Sequence, residues 1–289
     1  MTPARQFAVE FATSRIALAG VALLALLLLA ALFAPWISPQ NPYDLARLDL
    51  LDSRLPPGAR SAAGAIHWLG TDDQGRDMLS AILYGLRTSV AVGFASATLG
   101  LAIGVTLGLA AAWLGGWFEA LVMRLADLQL SFPSILIALV LLAVLGQGLD
   151  KIVVALVAVQ WAYYARTARA AALVERRKEY IDAAVALALS NARIIFRHLL
   201  PNCLPPLLVL ATVQVAAAIT LEATLSFLGL GLPITQPSLG LLISNGFNYL
   251  LSGHYWISVF PGIALLLAVV SINLVADRLR DVLDPHKQR

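Results

Sequence analysis

The chain has 289 residues, of which 60% are hydrophobic and 13% are charged, and its mean hydropathy is +0.81. An ordinary soluble domain carries about 25% charged residues, so the composition excludes a soluble globular protein and predicts one that crosses a bilayer several times. The formal net charge of +3 is small, and we expect no nucleic-acid partner. The single cysteine, Cys203, excludes an intrachain disulfide and a cysteine metal cluster. The four scattered histidines show no metal-ligand spacing.

Apolar runs of sufficient length predict an all-α membrane protein with six transmembrane helices. Crossing the hydrocarbon takes about 20 apolar residues in a helix. Such runs lie at about 16–35, 88–118, 128–149, 152–172, 199–227 and 257–276.

The first run could be a signal peptide, because Arg5 and Arg15 precede it as a charged n-region would. Its apolar core of about 18 residues is longer than the roughly 7–15 of a signal peptide, and Ala34-Pro35-Trp36 is a poor cleavage site. We therefore predict an uncleaved first transmembrane helix.

The distribution of lysine and arginine predicts the orientation of the helices. With a cytoplasmic N-terminus, six of the 20 basic residues lie outside and 14 lie inside, as the positive-inside rule requires. Both termini are then cytoplasmic. The predicted layout is a cytoplasmic N-terminus (1–15), a six-helix membrane domain (16–280) and a cytoplasmic tail (281–289), with outside loops at about 37–87 and 229–255 and a cytoplasmic loop at about 175–202.

Small residues repeat every fourth position in the second predicted helix, at Gly100, Gly104 and Gly108. This spacing lets two helix backbones approach closely in lipid. Packing inside the bundle is the favoured interpretation, and a seam that slides or lines a path through the membrane is the alternative.

Three charged residues lie at membrane edges. Arg124 and Asp127 are three positions apart on a predicted helix, so we expect a local ion pair. Glu222 lies near the outer end of the fifth run. An acid within the membrane is a functional candidate, although at a helix end it could simply extend to the headgroups.

Glycine and proline interrupt the chain after the fifth run, at Gly229, Gly231, Pro233 and Pro237. The apolar stretch 238–251 is too short to cross the membrane. It predicts either a re-entrant or an interfacial helix on the outer side.

The polar segment 175–202 lies between two long apolar runs. Residues 178–189 are rich in helix-forming Ala, Leu and Glu. We expect Tyr180, Ala183, Ala184 and Leu187 to form an apolar stripe on a short amphipathic helix. Such a helix lies either on the lipid surface or in a groove of a partner protein.

Four stretches, in order along the chain, resemble the permease subunits of binding-protein-dependent ABC importers, specifically the C-type subunit of the dipeptide and oligopeptide branch. The 175–202 segment is similar to the family's cytoplasmic coupling loop through Glu179-Tyr180-Ile181-Asp182-Ala183-Ala184 and Arg197-His198-Leu199-Leu200-Pro201-Asn202. The other three stretches are 67–77, which contains GTDDQGRD, 225–231, which reads LSFLGLG, and 279–285, which reads LRDVLDP.

This resemblance implies a type I ABC importer permease fold in a bacterial inner membrane. It implies that ATPase coupling involves Glu179, Tyr180, Asp182, Ala183, Ala184, Ala188, Leu200 and Pro201. The candidates for the translocation path are Glu222, Thr224, Gly100, Gly104 and Gly108. The implied partners are a second permease, two ABC ATPase subunits, a periplasmic or lipid-anchored substrate-binding protein and membrane lipid. ATP and Mg²⁺ would be bound by the ATPase subunits, with no cofactor and no enzymatic activity in this chain.

Two residues depart from the family's coupling-loop pattern. Asp182 replaces the usual Glu and keeps a carboxylate, with a shorter reach. Ala188 replaces the usual Gly. Alanine resists a left-handed turn and favours a continuous helix, so we expect the helix break to move towards Ser190-Asn191.

Two other classes of membrane protein were weighed. An intramembrane enzyme would need paired acids or a motif such as HExxH or GxSxG in its helices, and a secondary transporter would need several buried charges and broken helices at mid-membrane. The sequence contains no GxxxxGK[ST] phosphate loop, so ATP hydrolysis is expected on separate chains. The substrate stays open among dipeptides, oligopeptides, glutathione, nickel chelates, opines and sugars.

Overall fold

The computed structural model describes residues 3–44, 46, 48–62 and 64–283. The long helices are α2 (Arg15–Leu32), α4 (Met78–Leu114), α7 (Leu149–Glu175), α10 (Leu200–Phe227) and α12 (Trp256–Leu283). The shorter helices are α1 (Pro3–Ala12), α3 (Ala34–Ile37), α5 (Gly116–Leu130), α6 (Ser134–Leu145), α8 (Glu179–Ala186), α9 (Asn191–Arg193) and α11 (Leu239–Phe247). Strands β1 (Ala59–Arg60) and β2 (Ile66–His67) pair antiparallel in the loop before α4.

Four helical stretches of the described chain are long and apolar enough to cross a membrane: α2, α4, α12 and the stretch Asn191–Phe227, which contains α10. The bent pair α5–α6 would be a fifth. α7 is also long, but Gln160, Arg166 and Arg169 lower its hydropathy. These helices present apolar side chains outwards, such as Val144 at 82% exposure, as lipid contact requires. Six crossings and two cytoplasmic termini stay predictions.

The prediction of one continuous third helix over 128–149 is wrong. The chain bends by 94° between α5 and α6. Pro133 has no N–H for the helical ladder, and its ring disfavours a helical conformation at Phe132. α5 therefore ends at Leu130, and α6 begins at Ser134 after an extended proline.

The bundle core is organised around α4 and α7, which make the most extensive helix contact. α10 packs on both of them, and α12 packs on α10 and α2. One buried cluster includes Leu109 of α4, Ala168 of α7, Leu207 of α10 and Ile181 of α8. The short helix α8 is thus part of the bundle core at one end.

The structure places the start of α4 at Met78, so the predicted outside loop 37–87 includes the first turns of that helix. The described part of the loop 38–77 is held by hydrogen bonds. Asp77 caps α4 by accepting from the Ser80 amide, and it also contacts Nδ1 of His67 at 2.9 Å. Asp72 is buried and accepts from the amides of Gln74 and Arg76, both at 2.8 Å. Burial raises the pKa of Asp72 to about 6, although the amide and the charge of Arg76 oppose that rise.

Contacts between distant residues place α1 and the last turns of α12 at the same end of the bundle. Arg278 donates to the Glu10 carbonyl and to the Thr13 hydroxyl. Near it, Arg280 lines a cavity together with Glu175 and Asn202, so this end also carries the 175–202 segment. The Asp284-Pro285 part of the predicted tail motif, like all of 284–289, lies outside the described residues.

Candidate functional site

The 175–202 segment is attached at its start to the end of α4. Nη1 of Arg176 donates to the Ala112 carbonyl at 2.7 Å. The same guanidinium lies 5.2 Å from the centroid of the Trp113 ring, within range of a cation–π contact. The basic side chain thus pairs with one of the unsatisfied carbonyls at a helix C-terminus.

Tyr180 of α8 bridges α7 and α10. Its hydroxyl donates to Oε2 of Glu175 at 2.8 Å and lies beside the side chain of Asn202, whose Nδ2 donates to the His198 carbonyl. Lys178 contacts the other Glu175 oxygen at 2.6 Å. Burial tends to raise the pKa of Glu175, but the hydrogen bonds from Lys178 and Tyr180 outweigh it and lower the pKa. Burial and the bond to Glu175 raise the pKa of Tyr180 to about 12, so its hydroxyl keeps its proton.

The two faces of α8 have different environments. Ile181 and Ala184 are buried against the bundle, whereas Glu179, Asp182 and Ala183 are exposed. The predicted apolar stripe is wrong, because its members point to different sides: Ala184 is buried and Leu187 is 74% exposed. The buried face is set by packing of Ile181, and the exposed face is acidic with a small residue at its centre.

Ala188 adopts the left-handed conformation, with φ of 53°. The expectation that alanine would prevent this turn is wrong, and so is the predicted shift of the break to Ser190-Asn191. Two hydrogen bonds hold the turn: Leu189 N donates to Ala184 O at 3.2 Å and Ala188 N donates to Val185 O at 2.9 Å. This is the Schellman pattern of a helix C-terminus, and its bonds offset the roughly 1–2 kcal/mol cost of the conformation.

The predicted residues Leu200 and Pro201 begin α10, directly after a π-helical turn, Ile194–Leu199. Proline is tolerated in the first helical turn, where its missing N–H is not needed. The turn and α10 join the 175–202 segment to the membrane-spanning part without a loop.

The three repeated glycines pack against α7 within the chain. A Cβ on Gly104 would lie 2.6 Å from Cβ of Tyr164, and one on Gly108 would lie 2.9 Å from Cβ of Ala168. At Gly100 the nearest atom would be Cβ of Gln160, at 3.2 Å. The favoured interpretation, packing inside the bundle, describes this arrangement.

Glu222 is completely buried rather than directed at the headgroups, so that alternative is wrong. Its carboxylate accepts from Ser89 of α4 and from Ser226 of α10, both at 2.7 Å. Ser238, which caps α11, lies beside this carboxylate. Glu222 thus joins α4, α10 and the start of α11.

The predicted ion pair between Arg124 and Asp127 is wrong. Asp127 has a different partner. It forms its ion pair with Arg166 of α7 instead of with Arg124. Arg169, one turn later on α7, pairs with Glu119 of α5 at 2.5 Å. The charges at this membrane edge therefore join two helices.

A cavity of about 510 Å³ opens between α6, α7, α10 and α12, lined by apolar and polar side chains. None of the described residues in this lining is acidic or basic. The polar side chains are Ser134, Gln160, Tyr163, Gln214, Thr220, Thr224 and Asn273. Of the predicted path residues, Thr224 lies in this lining. Gln160 connects two of its walls, because Nε2 donates to the Gln214 carbonyl at 3.1 Å.

Comparison with known families agrees with this geometry. Residues 104–289 match the family described as the binding-protein-dependent transport system inner membrane component. Residues 2–57 match the N-terminal transmembrane domain of oligopeptide transport permease C. The chain belongs to the family of binding-protein-dependent permeases. It is therefore the membrane component of an importer and a multi-pass protein of the bacterial inner membrane.

Full-length relatives support the same assignment. A protein of Brucella suis biovar 1, named as a peptide transport system permease, is 42% identical over 92% of this chain and 86% of its own length. The di/tripeptide transport system permease protein DppC of Pseudomonas aeruginosa is 38% identical over 98% of this chain and 92% of its own length.

A solved structure identifies the fold of the permease. An inward-facing structure of the MetNI methionine ABC transporter superposes with a TM-score of 0.57 at 23% identity, covering 71% of this chain and 97% of that chain. The permease has the ABC importer permease fold.

Several cavity residues of the permease were missed by sequence reasoning. Charge is the sequence signal used for functional groups in the membrane, and Gln160, Gln214 and Asn273 are neutral. Their signal was available, since side-chain amides are uncommon in apolar helices and seek hydrogen-bond partners there. Across the residues that the structure describes, no group of His, Cys, Asp and Glu side chains could hold a metal ion.

Proposed function

We propose that this permease forms one half of the translocation path of an ATP-driven importer of short peptides. The observation that carries the proposal is the connection from α8 to the cavity. Tyr180 is hydrogen-bonded to Glu175 at the end of α7 and packs beside the start of α10, and α7 and α10 both line the cavity. A force applied to α8 would reach two cavity walls at once.

We propose six membrane crossings with both termini in the cytoplasm. The α5–α6 pair and α7 would supply the two crossings beyond the four apolar helices. The excess of basic residues at the N-terminus, at the C-terminus and in the 175–202 segment supports this orientation. The contact of Arg278 with Thr13 supports it too, because it keeps both ends on one side.

The exposed face of α8 would dock on an ATPase subunit. Ala183 permits a close approach at the centre of that face, and the carboxylates of Glu179 and Asp182 beside it suit basic groups of the partner. Ala184, which is buried, would act by packing α8 on the bundle. Ala188, Leu200 and Pro201 would set the path of the chain from α8 into α10.

The cavity would bind the substrate during transport. Its hydroxyl and amide groups can donate to and accept from peptide main-chain groups, and its neutral lining does not select for side-chain charge. Thr224 and Glu222 would have separate roles, with Thr224 contacting the solute and Glu222 holding α10 against α4. The glycines at 100, 104 and 108 would hold α7 in place beside the path.

The complete importer would contain a second permease, two ATPase subunits that bind ATP and Mg²⁺, and a substrate-binding protein on the outer side. ATP-driven closure of the ATPase pair would move α8 and switch the bundle between inward-open and outward-open states. The names of the peptide permeases that resemble this chain support short peptides as the substrate.

Reconstitution of the complex in proteoliposomes tests this proposal. We expect ATP-dependent accumulation of radiolabelled di- and tripeptides in the presence of the binding protein, and none with an ATPase subunit whose phosphate-loop lysine is substituted. Accumulation of nickel or a sugar, with no accumulation of peptides, would contradict the proposed substrate. Accumulation driven by an ion gradient without ATP would contradict the proposed mechanism.

A further inference from the structure

A second groove lies on the outside of the bundle between α4 and α10. It has a volume of about 320 Å³ and is lined almost entirely by apolar side chains. α4 contributes Thr98, Ala102 and Thr106, and the opposite wall is formed by Phe196, Leu204 and Leu208. The translocation cavity shares none of these residues.

Two arginines stand at one end of this groove. The wall residues Phe196, Leu200 and Leu204 lie on the π-helical turn and the start of α10. Arg193 lies three positions before Phe196, the first wall residue on this side along the chain, and Arg197 directly follows Phe196. Both arginines are exposed. Within the part of the chain that the structure describes, neither guanidinium makes a hydrogen bond or an ion pair.

The length of the groove corresponds to one leaflet. From Phe196 to Leu208 the helix rises by about 18 Å, at about 1.5 Å per residue. Half of a bilayer's hydrocarbon core is about 15 Å thick. The arginines are thus placed at headgroup depth when the groove lies in the hydrocarbon of the leaflet next to the 175–202 segment.

We propose that this groove holds one acyl chain of an anionic phospholipid and that Arg193 and Arg197 bind its phosphate. A guanidinium binds phosphate through charge-assisted hydrogen bonds, and basic sites between transmembrane helices on the cytoplasmic side select anionic headgroups. The inference rests on the proposed orientation, which puts the 175–202 segment in the cytoplasm. A helix of the second permease could fill the apolar groove, but both arginines would then remain at the membrane edge of the interface. The basic charge therefore favours a lipid as the occupant.

Native mass spectrometry of the purified importer complex, titrated with phosphatidylglycerol or phosphatidylcholine, tests the proposal. We expect the wild-type complex to retain phosphatidylglycerol in preference to phosphatidylcholine. One basic residue near a membrane surface contributes about a fivefold factor in lipid binding, so Arg193→Gln with Arg197→Gln should weaken the tightest phosphatidylglycerol site on the order of 25-fold. Ala102→Phe should remove that site by filling the groove.

Arg177→Gln is the matched control, since Arg177 is exposed in the same segment but precedes α8, whereas Arg193 and Arg197 adjoin the wall residue Phe196, and it should leave lipid retention unchanged. Equal retention by the double arginine variant and the wild type overturns the proposal. So does efficient crosslinking of Ala102→Cys to the second permease, which would show that protein covers the groove. Because the readout is lipid binding, it fails or succeeds independently of peptide transport.

Discussion

The two sides of α7 are built from different kinds of residue. Towards α4, alanines of α7 meet glycines of α4, and the helix backbones come so close that a Cβ on Gly104 would lie 2.6 Å from Cβ of Tyr164. Towards α10 and α12, the polar side chains of Gln160 and Tyr163 border a cavity of about 510 Å³. Close packing resists deformation and transmits displacement, whereas a cavity can accept solute.

This difference teaches how one helix can serve two purposes. The close contact between α4 and α7 would make the two helices move together, and that movement would change the shape of the cavity on the other side of α7. α10 repeats the pattern, because Glu222 is bonded to Ser89 of α4 while Thr224 lies in the cavity lining. α8 is attached to both helices through Tyr180.

The largest effect on stability is expected at the contact between α4 and α7, from Gly104→Leu. The new side chain would meet the Trp161 carbonyl as well as Tyr164, and backbone atoms cannot move aside cheaply. Overpacking costs about 1–3 kcal/mol and sometimes more, and we expect at least about 3 kcal/mol here, measured as a lower unfolding temperature of the purified complex. Gly262→Leu is the matched control, since nothing lies within 4 Å of its Cβ position. Equal loss in both variants would mean that the α4–α7 contact is not tight.

The next largest effect is expected in the loop that precedes α4. Its Asp72 has a pKa raised from 3.8 to about 6, so folding favours the neutral carboxyl. That stabilisation is present below about pH 4 and is lost as the pH rises through about 6. Asp72→Asn should match the wild type near pH 4 and exceed its unfolding free energy by about 2–3 kcal/mol at pH 7. If the wild type instead gains stability over the variant as the pH rises, the charge of Arg76 outweighs the effect of burial on the pKa of Asp72.

A smaller effect is expected from substitution of Glu222, which joins α10 to α4 by a hydrogen bond. Glu222→Leu leaves the hydroxyls of Ser89 and Ser226 without their acceptor, and we expect a loss of about 1–2 kcal/mol in unfolding free energy. Glu222→Gln keeps an acceptor and a donor for the two serines and should cost less. If the leucine variant is as stable as the wild type, Glu222 is not a structural contact and a role in transport becomes the better interpretation.

For substitutions in the cavity lining we expect almost no change in stability. Asn273→Leu and Thr224→Val remove polar groups from the cavity lining, and substitutions of exposed side chains usually stay within about ±0.5 kcal/mol. ATP-dependent peptide uptake should nevertheless fall by about fivefold or more, because each lost hydrogen bond to a substrate is worth about 1 kcal/mol. Leu266→Val, on the exposed surface of α12, serves as the control. Unchanged uptake would exclude this cavity as the path.

Hydrophobic length was enough to locate α2, α10 and α12, because the bilayer demands long apolar helices whatever their neighbours are. It could not show the bend at Pro133, since the apolar run continues through it. The left-handed Ala188 depends on hydrogen bonds formed after α8 has folded, which local propensity does not contain. The buried face of α8 was misjudged because Ile181 and Leu187 are equally apolar and only the bundle decides which one it covers.

Stimulation of ATP hydrolysis by substrate-loaded binding protein tests the central claim that α8 couples ATPase movement to the cavity. The variant is Ala183→Trp, on the exposed face of α8, and the matched control is Ala192→Trp, an exposed alanine of α9. In lipid discs, we predict that Ala183→Trp assembles normally but loses most of the stimulation and of the peptide transport, while Ala192→Trp retains both. Wild-type stimulation and transport by Ala183→Trp would contradict the account.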